Sequence, residues 1–395
     1  MPNSRDALIT GIGLISCLGE GVEAHWTALT NPGGLQPVLD TETWPGFAVH
    51  PMTPLTLDSQ IPKRDQRQME AWQRIGVYAA GLALDSAGIK GNTDLLSRME
   101  MIVAAGGGER DYAVDMQILS ALPKAADPDA YLNEHLLSDI RPTLFLAQLS
   151  NLLAGNISLV HGVIGSSRTF MGEEAAGTDA LRIAVNRIHS GQGDLALVGG
   201  SYNAQRPDIL LHYEMGGKLW HQPFEGVWGR QSGGGGMIPG SLGCFLVVES
   251  RTHAVARGAK VLARIAAVET DRCRRDPGQA TANATRQLAR VAPDLDRTTA
   301  AVISGASGVA AVTVEERAFL ESLGLPVRGL ATAIGHGMEP AFIAHVALAA
   351  AALDHGKLFN PLESAEAPMA GPLRQALVTS WGHWRGEAMA LVTRA

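Results

Sequence analysis

A loop, a helix and a buried strand follow one another between residues 162 and 201, and this order constrains the fold more than any other part of the chain. Residues 166–172 are polar and bounded by glycine, which is typical of a loop. The apolar run 195–198 stops at two glycines, which predicts a buried strand entering a tight turn. A helix from about residue 173 to Gly191 is predicted between them, because small and apolar residues recur with helical spacing at Ala176, Ala180, Leu181, Ala184, Val185 and Ile188.

This segment resembles the active-site region of the β-ketoacyl-acyl carrier protein synthases, a family with the thiolase fold. The family pattern is roughly T-A-C-A-x-G-x-x-A-I, followed by a helix and a D-x-x-L-A-G-G-x-E strand. Residues 175–177 and 194–200 match it without a gap, and the family's cysteine falls on Glu174. The chain has three cysteines, and none lies at that position: Cys17, Cys244 and Cys273.

The likeness extends over nearly the whole chain. Residues 7–15 resemble the first strand of the family, and residues 243–250 resemble the stretch that closes its first half. The resemblance implies a thiolase-like α/β fold, in which duplicated βαβαβ halves form a five-layered α-β-α-β-α arrangement. It places an N-terminal half at 1–250 and a C-terminal half at 251–395, with insertions in the first half at about 31–63 and 110–150.

Three further catalytic segments of the family can be placed on this chain. The V-N-A-H-G-T-S-T segment corresponds to residues 302–309, where Gly305 stands at the histidine position. The K-S-x-T-G-H segment ends at His336, which is retained, and Ala331 replaces its lysine. The S-F-G-F-G-G-x-N loop, whose aromatic gate and backbone amide help to form the family's oxyanion hole, corresponds to residues 380–387 and includes His383, Trp384, Arg385 and Glu387. The resemblance therefore implies that one of three polar partners survives.

Glu174 is a poor replacement for a catalytic cysteine. Condensation on a thioester needs a thiolate that carries the acyl chain, and a helix N-terminus helps by lowering the pKa of the thiol. A glutamate would form only an anhydride-like acyl intermediate, and losing one donor to the developing enolate oxygen can cost about 3 kcal/mol. We therefore expect little condensation by this chain alone. A plainer interpretation of Glu173 and Glu174 is that acids suit the first turn of a helix, where the macrodipole favours negative charge.

Altered chemistry at the same place is an alternative. If the family geometry holds, Glu174, His336, His383 and Glu387 converge, and a carboxylate beside imidazoles could act as acid and base or hold a metal ion. Acid-base work by Glu174 and His336 would favour thioester hydrolysis or decarboxylation. No close-spaced ligand motif such as H-E-x-x-H occurs, and a polar network that only fills space is the plainer interpretation. We therefore expect no metal and no other cofactor.

The resemblance also suggests a role without catalysis. Cysteine-less members of the family include chain-length-factor subunits, which pair with an active synthase, and decarboxylating members with glutamine at the nucleophile position. The first kind fits better, because Glu174 is not glutamine and Gly305 replaces the decarboxylation histidine. In the family, dimers form through the strand and loop before the nucleophile turn, here about residues 156–169. The implied partners are an active synthase paralogue, or a second copy of this chain, and an acyl carrier protein.

Four segments resemble a narrower branch, which accompanies synthases that make very long acyl chains for lipid A in some bacteria: residues 65–74, 101–111, 141–156 and 166–174. The predicted function is thus a ketosynthase-like subunit of fatty acid biosynthesis that sets chain length. A purely structural binder of acyl carrier protein is a third alternative. The candidate carrier-protein patch is Lys63, Arg64 and Arg67, for which a solvated face before a helix is an equally good interpretation.

Composition and charge agree with a large, enzyme-like fold. The 395 residues are 46% hydrophobic and 18% charged, enough to bury an extensive core. The net charge of −7 argues against a nucleic-acid or anionic-membrane surface, and three irregularly spaced cysteines give no disulfide framework or zinc signature. We expect a cytoplasmic protein without membrane insertion, because no secretory signal is recognised and the nearly apolar stretch 341–353 is too short to span a bilayer.

Overall fold

The computed structural model describes residues 3–140 and 148–395. Within them, one mixed sheet has the strand order β4-β3-β5-β6-β1-β7-β11-β10-β8-β9, with the short β2 paired to β1. The longest strands are nearly continuous apolar runs that are buried on both faces, as strands covered by helices must be. The strands are β1 (Ala7–Ser16), β2 (Gly19–Glu20), β3 (Glu100–Ala104), β4 (Ser167–Phe170), β5 (Leu195–Tyr202), β6 (Leu242–Ser250), β7 (Ala263–Asp271), β8 (Ala300–Ser304), β9 (Val327–Gly329), β10 (Gln375–Trp381) and β11 (Glu387–Thr393).

The same strand pattern occurs twice in this sheet. In the first half, β4, β3 and β5 are parallel, and β6 and β1 follow with antiparallel pairing. In the second half, β9, β8 and β10 are parallel, and β11 and β7 follow in the same antiparallel manner. The two halves join where Ala7, Leu8 and Ile9 of β1 pair with residues 263–265 of β7. This repeat is the pattern expected of duplicated βαβαβ units, while the division of the chain at residue 250 stays a prediction.

The helices cover the sheet and connect its strands. Two of them come after the edge strands of the two halves: α8 (Glu174–His189) follows β4, and α14 (Ala341–Asp354) comes after β9. The described helices are α1 (Gly21–Leu29), α2 (Lys63–Gln66), α3 (Ala71–Ser86), α4 (Thr93–Arg98), α5 (Tyr112–Ala121), α6 (Pro128–Ser138), α7 (Leu152–His161), α8 (Glu174–His189), α9 (Pro207–Met215), α10 (Arg251–Ala256), α11 (Gln279–Val291), α12 (Ala310–Leu323), α13 (Ala331–Ile334) and α14 (Ala341–Asp354).

Helices α8 and α14 form the central layer of the molecule. The first lies against β3, β5 and β7, and the second lies against β6, β10 and β11, so both contact strands of the two halves. Helix α3 packs on the outer side of the first half, and α11 packs on the outer side of the second. Three apolar cores separate these layers. The result is the α-β-α-β-α order that the sequence resemblance implies.

Two sequence features place α8 and α14 in contact. Every residue from 341 to 353 is buried, because this helix is apolar on all sides. At the crossing, a Cβ atom on Gly177 would lie 2.1 Å from the carbonyl oxygen of Glu339, so only glycine permits this approach. The contact brings the first turn of α8 close to the chain that precedes α14.

The predicted insertions differ from each other. Residues 31–62 are mainly irregular, but Val49 and His50 are fully buried, and His50 pairs with Gly240 in an isolated bridge. This insertion therefore contributes residues to the protein interior. The second insertion contains α5 and α6, and its residues 141–147 lie outside the described residues. No helix in the described ranges has both the length and the apolar character needed to cross a bilayer.

Candidate functional site

Glu174 is the first residue of α8, and its side chain is buried. Two other segments supply imidazoles to it. His336 comes from the connection between α13 and α14, and His383 comes from the turn between β10 and β11. Both histidines are buried as well. The structure therefore brings together three of the residues that the sequence places at the vestigial active site.

One oxygen of Glu174 receives three hydrogen bonds. Its Oε1 lies 2.8 Å from His336 Nε2 and 2.7 Å from His383 Nδ1. The backbone N–H of His383 donates to the same oxygen at 2.9 Å. This N–H belongs to the loop whose amide helps to form the oxyanion hole in the family. The carboxylate thus engages all three of these donors.

The charges in this cluster are complementary. Burial alone would raise the pKa of the Glu174 carboxyl, but the positive charge of His383 and the hydrogen bonds from both histidines hold it well below its usual range. Burial alone would lower the pKa of His383, but the charge and hydrogen bond of Glu174, with a contribution from Glu173, raise it above its usual value. Glu174 and His383 therefore stabilise each other's charged form inside the protein.

Glu173 supports this pair from the outside. Its Oε2 lies 3.5 Å from His383 Nε2, and its Oε1 accepts a hydrogen bond from the hydroxyl of Tyr213 at 3.3 Å. The ring of Tyr213 also meets the ring of His383 edge to face, with centroids 5.3 Å apart. The backbone of Glu173 has φ 53° and ψ −133°, a region that non-glycine residues rarely adopt and that costs on the order of 1–3 kcal/mol. The turn is therefore strained at the residue that leads into Glu174.

The loop between β10 and β11 is held by an arginine that the sequence did not single out. Gly382 N donates to Gly386 O at 2.8 Å, and Arg275 Nη2 donates to Gly382 O at 2.6 Å. Trp384 and Arg385 lie at the tip of this loop and are exposed. Glu387 does not share contacts with Glu174 in the described structure. Its buried carboxylate binds Arg275, Asn283 and Cys273 instead.

The two substituted family positions, Gly305 and Ala331, are both buried. A Cβ atom at Gly305 would lie 2.8 Å from Thr379 O and 3.1 Å from the ring of His345, so this imidazole from α14 occupies the adjoining volume. Burial lowers the pKa of His345 to about 3, which keeps the ring neutral. Ala331 begins the short helix α13 and brings no charge to the site. The sequence offered one signal for His345, which is a histidine within an otherwise apolar helix.

A small polar pocket lies beside the cluster. Its lining includes Gly106, Tyr202, Arg206, Tyr213 and Glu339. Burial and the charges of Glu173 and Glu174 raise the pKa of Glu339 to about 7. The pocket is therefore lined by hydroxyl, carboxyl and guanidinium groups as well as by backbone.

The three cysteines show no sign of thiol activation. Cys17 and Cys244 are buried, and burial raises the pKa of each thiol. Cys273 is partly exposed, and its thiol donates to Glu387 Oε1 at 3.3 Å. Its pKa is also raised, and burial is the largest cause. In the described contacts, none of the three thiols touches Glu174. No activated thiolate therefore stands at the N-terminus of α8.

Basic residues occur in two places on the surface. The predicted patch lies on and after the exposed helix α2, where Lys63 is 3.2 Å from Asp58 and Arg64 is 3.4 Å from Asp65. Arg67 follows the helix and is exposed. A second group lines the cleft beside His383 and Trp384: Lys218, Arg274, Arg275 and Arg385. The sequence did not reveal this second group, because its members are far apart along the chain.

A duplicated, five-layered α/β fold with a buried site at the N-terminus of a central helix defines a thiolase-like protein of the ketosynthase type. Residues 4–253 match the family model described as Beta-ketoacyl synthase, N-terminal domain. The chain therefore belongs to the β-ketoacyl synthase family.

The relatives are distant in sequence. The 3-oxoacyl-[acyl-carrier-protein] synthase 2 of Vibrio cholerae is 23% identical over 271 residues, which cover 67% of this chain. The matching protein of Staphylococcus aureus strain COL is 23% identical over 283 residues, with the same coverage. The chain spans 62% of the length of these curated relatives.

Solved structures resemble the whole chain. The ishigamide ketosynthase/chain length factor aligns with a TM-score of 0.78 at 20% identity and covers 99% of both chains. A β-ketoacyl synthase from Burkholderia phymatum aligns with a TM-score of 0.75 at 18% identity, also over 99% of both chains. At these identities the likeness concerns the fold.

Proposed function

We propose that this chain is a ketosynthase-like subunit of fatty acid biosynthesis that pairs with an active β-ketoacyl-acyl carrier protein synthase and acts as its chain-length-factor-type partner. In this proposal, carbon-carbon bond formation takes place on the partner, and Glu174 replaces the nucleophile of this chain. We further propose that the pathway makes very long acyl chains for lipid A, on the basis of the four sequence segments that resemble that branch.

The observation that carries the proposal is the state of Glu174. A buried carboxylate stands where the family's cysteine falls, and it accepts hydrogen bonds from His336, from the His383 ring and from the His383 amide. A thioester carbonyl would have to displace this carboxylate to reach the same donors. Since the donors are engaged and no thiolate lies nearby among the described residues, the geometry supports a non-condensing role.

A surface suited to pairing lies next to this site. Strand β4 is an edge strand of the described sheet and pairs there only with β3. Its other edge therefore presents unpaired backbone donors and acceptors. Large apolar side chains are exposed around it, with relative exposures of 82% for Leu159, 66% for Ile164 and 64% for Met171. An unpaired edge flanked by apolar side chains supports a partner at this face.

Two structural neighbours have names that fit this assignment. One is a ketosynthase/chain length factor, and another is a type II polyketide ketosynthase in complex with its acyl-carrier protein, with a TM-score of 0.73. We propose the same kinds of partner for this chain, an active synthase and an acyl carrier protein. The basic residues of α2 and of the cleft beside His383 are the candidate surfaces for an acidic carrier protein.

Coexpression tests the pairing directly. The tagged chain is coexpressed with each cysteine-bearing synthase paralogue encoded near it, and we expect one of them to copurify in equal amounts. Ile164→Lys places a charge in the proposed interface and should abolish copurification. Val255→Lys is the matched control, because Val255 is 69% exposed on α10, outside the surface formed by the β4 edge, Leu159, Ile164 and Met171, and should leave the pair intact. A chain that remains single beside every paralogue contradicts the proposal.

The length of the product tests the assigned role. The pair, the synthase alone and this chain alone are each incubated with malonyl- and acyl-acyl carrier protein. We expect condensation by the pair, no condensation by this chain, and a different product length when the synthase acts without this chain. Condensation by the isolated chain would overturn the proposal.

Acid-base chemistry at Glu174 and His336 is the second candidate, because the cluster places a carboxylate against two imidazoles. It predicts that the isolated chain hydrolyses or decarboxylates a thioester, and that Glu174→Ala abolishes this turnover. A purely structural binder of acyl carrier protein is the third. In that case, binding of the carrier protein would persist when the buried site is altered, and no synthase would copurify.

A further inference from the structure

We infer that Glu174, His336 and His383 form a binding site for a divalent transition-metal ion, of the two-histidine, one-carboxylate type. One ligand atom from each of these side chains lies within 4.8 Å of the others. All three side chains are at least nine-tenths buried. The sequence shows no metal motif because the three ligands come from separate parts of the chain. This inference does not depend on the proposed pairing with a synthase.

The imidazoles are directed at a single carboxylate oxygen. Their nitrogen atoms lie 2.8 Å (His336 Nε2) and 2.7 Å (His383 Nδ1) from Glu174 Oε1. Around a tetrahedral ion with bonds of about 2.0–2.2 Å, ligand atoms stand about 3.3–3.6 Å apart. Side-chain movements of roughly 0.5–1 Å would therefore convert the hydrogen-bonded cluster into a coordination site. Imidazole and carboxylate ligands suit Zn²⁺, Co²⁺ and Fe²⁺.

The ligands are held by rigid backbone. His336 N donates to Ile238 O at 2.8 Å, and His336 O accepts from Gly240 N at 3.0 Å. His383 lies in the turn that the Gly382–Gly386 hydrogen bond closes. Glu174 begins a sixteen-residue helix. A site built from such fixed positions needs little ordering when an ion binds, which favours affinity.

An outer carboxylate completes the arrangement. Metal-bound histidines commonly donate their second N–H to a carboxylate, which orients the ring. Glu173 Oε2 is 3.5 Å from the second ring nitrogen of His383, and the Tyr213 hydroxyl holds the other oxygen of Glu173. His383 therefore has a carboxylate close to its second ring nitrogen, as metal-bound histidines commonly do.

Binding of the metal ion would displace protons from the ligand nitrogens of the two histidines. His383 would release the proton on Nδ1, and His336 would carry its single proton on Nδ1 so that the Nε2 lone pair faces the metal. The two positive charges of the ion would then balance the carboxylates of Glu173 and Glu174. A water molecule or an anionic group entering through the adjacent basic cleft would take the fourth position.

Cobalt and zinc binding test the inference on the full chain. After removal of metal with a chelator and dialysis, we expect the protein to bind one Co²⁺ per chain with visible d–d absorption, and Zn²⁺ to displace it. Glu174→Ala and His336→Ala should each weaken binding by more than about 100-fold, and Glu173→Gln should weaken it by about 10-fold. His221→Ala is the matched control, because His221 is an exposed histidine beside a glutamate and should leave affinity unchanged.

Several results would overturn the inference. The first is that the wild-type chain shows no d–d absorption with Co²⁺. The second is that its affinity for Zn²⁺ is no higher than that of the His336→Ala variant. Another is loss of binding in His221→Ala, which would assign the ion to the surface. Circular dichroism shows whether each variant is folded, and the wild-type titration decides the question even if a ligand variant unfolds. Copurification with a synthase is a separate measurement, so either result can fail without the other.

Discussion

Glu174 and Gly305 stand at two positions that the sequence resemblance aligns with catalytic residues of the family, and their surroundings differ in opposite ways. At Glu174 a carboxylate is present, and two imidazoles and one amide form hydrogen bonds to it. At Gly305 the side chain is absent, and the neutral ring of His345 fills the adjoining space. Internal pairing surrounds the first position, and packing fills the second. Restoring the family residue at either position would therefore meet a different obstacle.

The largest expected effect comes from breaking the pair at Glu174. Glu174→Ala leaves the charged His383 buried without its partner, and removing one member of a buried ion pair costs about 3–5 kcal/mol. We expect a corresponding loss of stability in urea unfolding. Glu321→Ala is the control, because its pair with Arg317 on α12 is exposed and contributes less than about 1 kcal/mol. Equal losses in the two variants would show that the cluster at Glu174 is not a coupled pair.

A second prediction concerns Glu316, a buried acid in the Gly305 region, whose pKa is shifted in the opposite direction to that of Glu174. Glu316 lies beside Gly305, where Ser304 and Thr379 donate to its Oε1, and burial raises its pKa to about 7 despite the charge of Arg275. An acid whose pKa is higher in the folded than in the unfolded state stabilises the fold below pH 4.5, and this stabilisation is lost as the pH rises through about 7.

Glu316→Gln tests this sign. The wild-type chain should lose on the order of 3 kcal/mol more stability than the variant between pH 4.5 and pH 8, measured by urea unfolding at each pH. Glu321→Gln, on the exposed face of the same helix, should follow the wild-type curve. If the curve of Glu316→Gln also matches the wild type, Glu316 is ionised in the folded protein, and the neutral character assigned to the Gly305 region is wrong.

A third prediction probes the packing at Gly305. Gly305→Ala forces a Cβ atom against Thr379 O and the His345 ring, and overpacking of this kind costs about 1–3 kcal/mol. In a His345→Ala background the cost should fall, because one of the two contacts is gone. Gly107→Ala is the matched glycine control, since nothing lies within 4 Å of the position that a Cβ atom would take there, and its stability should hardly change. Additive effects of Gly305→Ala and His345→Ala would refute the packing explanation.

The smallest expected effect concerns the strained turn before Glu174. Glu173→Gly and Glu173→Ala both remove the carboxylate that contacts His383, but only glycine adopts φ 53° and ψ −133° without strain. We expect the glycine variant to be more stable than the alanine variant by about 1 kcal/mol in thermal unfolding. An alanine variant of equal stability would mean that the turn relaxes.

The sequence predicted the parts of the site that depend on order along the chain. The helix that begins at Glu174, the start of the strand at Leu195 and the retention of His336 follow from local spacing and from the family resemblance. The loop predicted over 166–172 is wrong, because residues 167–170 pair with β3 as strand β4. The predicted turn at Gly199 and Gly200 is also wrong, because β5 continues through both glycines to Tyr202. Contacts between distant segments were harder to predict. Arg275 carries no signal in the sequence, and Glu387 binds Arg275 rather than Glu174. The burial of His50 within the region 31–63 is likewise a property of packing against Gly240, which composition does not reveal.

Strand β4 has a consequence for the cell that makes this protein. A short edge with unfilled backbone positions, bordered by Leu159, Ile164 and Met171, recruits other strands and promotes aggregation when it stays uncovered. Copies with an uncovered edge would then associate with one another. Under the proposed pairing, a synthase expressed in matched amounts would cover this edge, so the soluble yield of the chain should follow the supply of that synthase more closely than its own folding free energy.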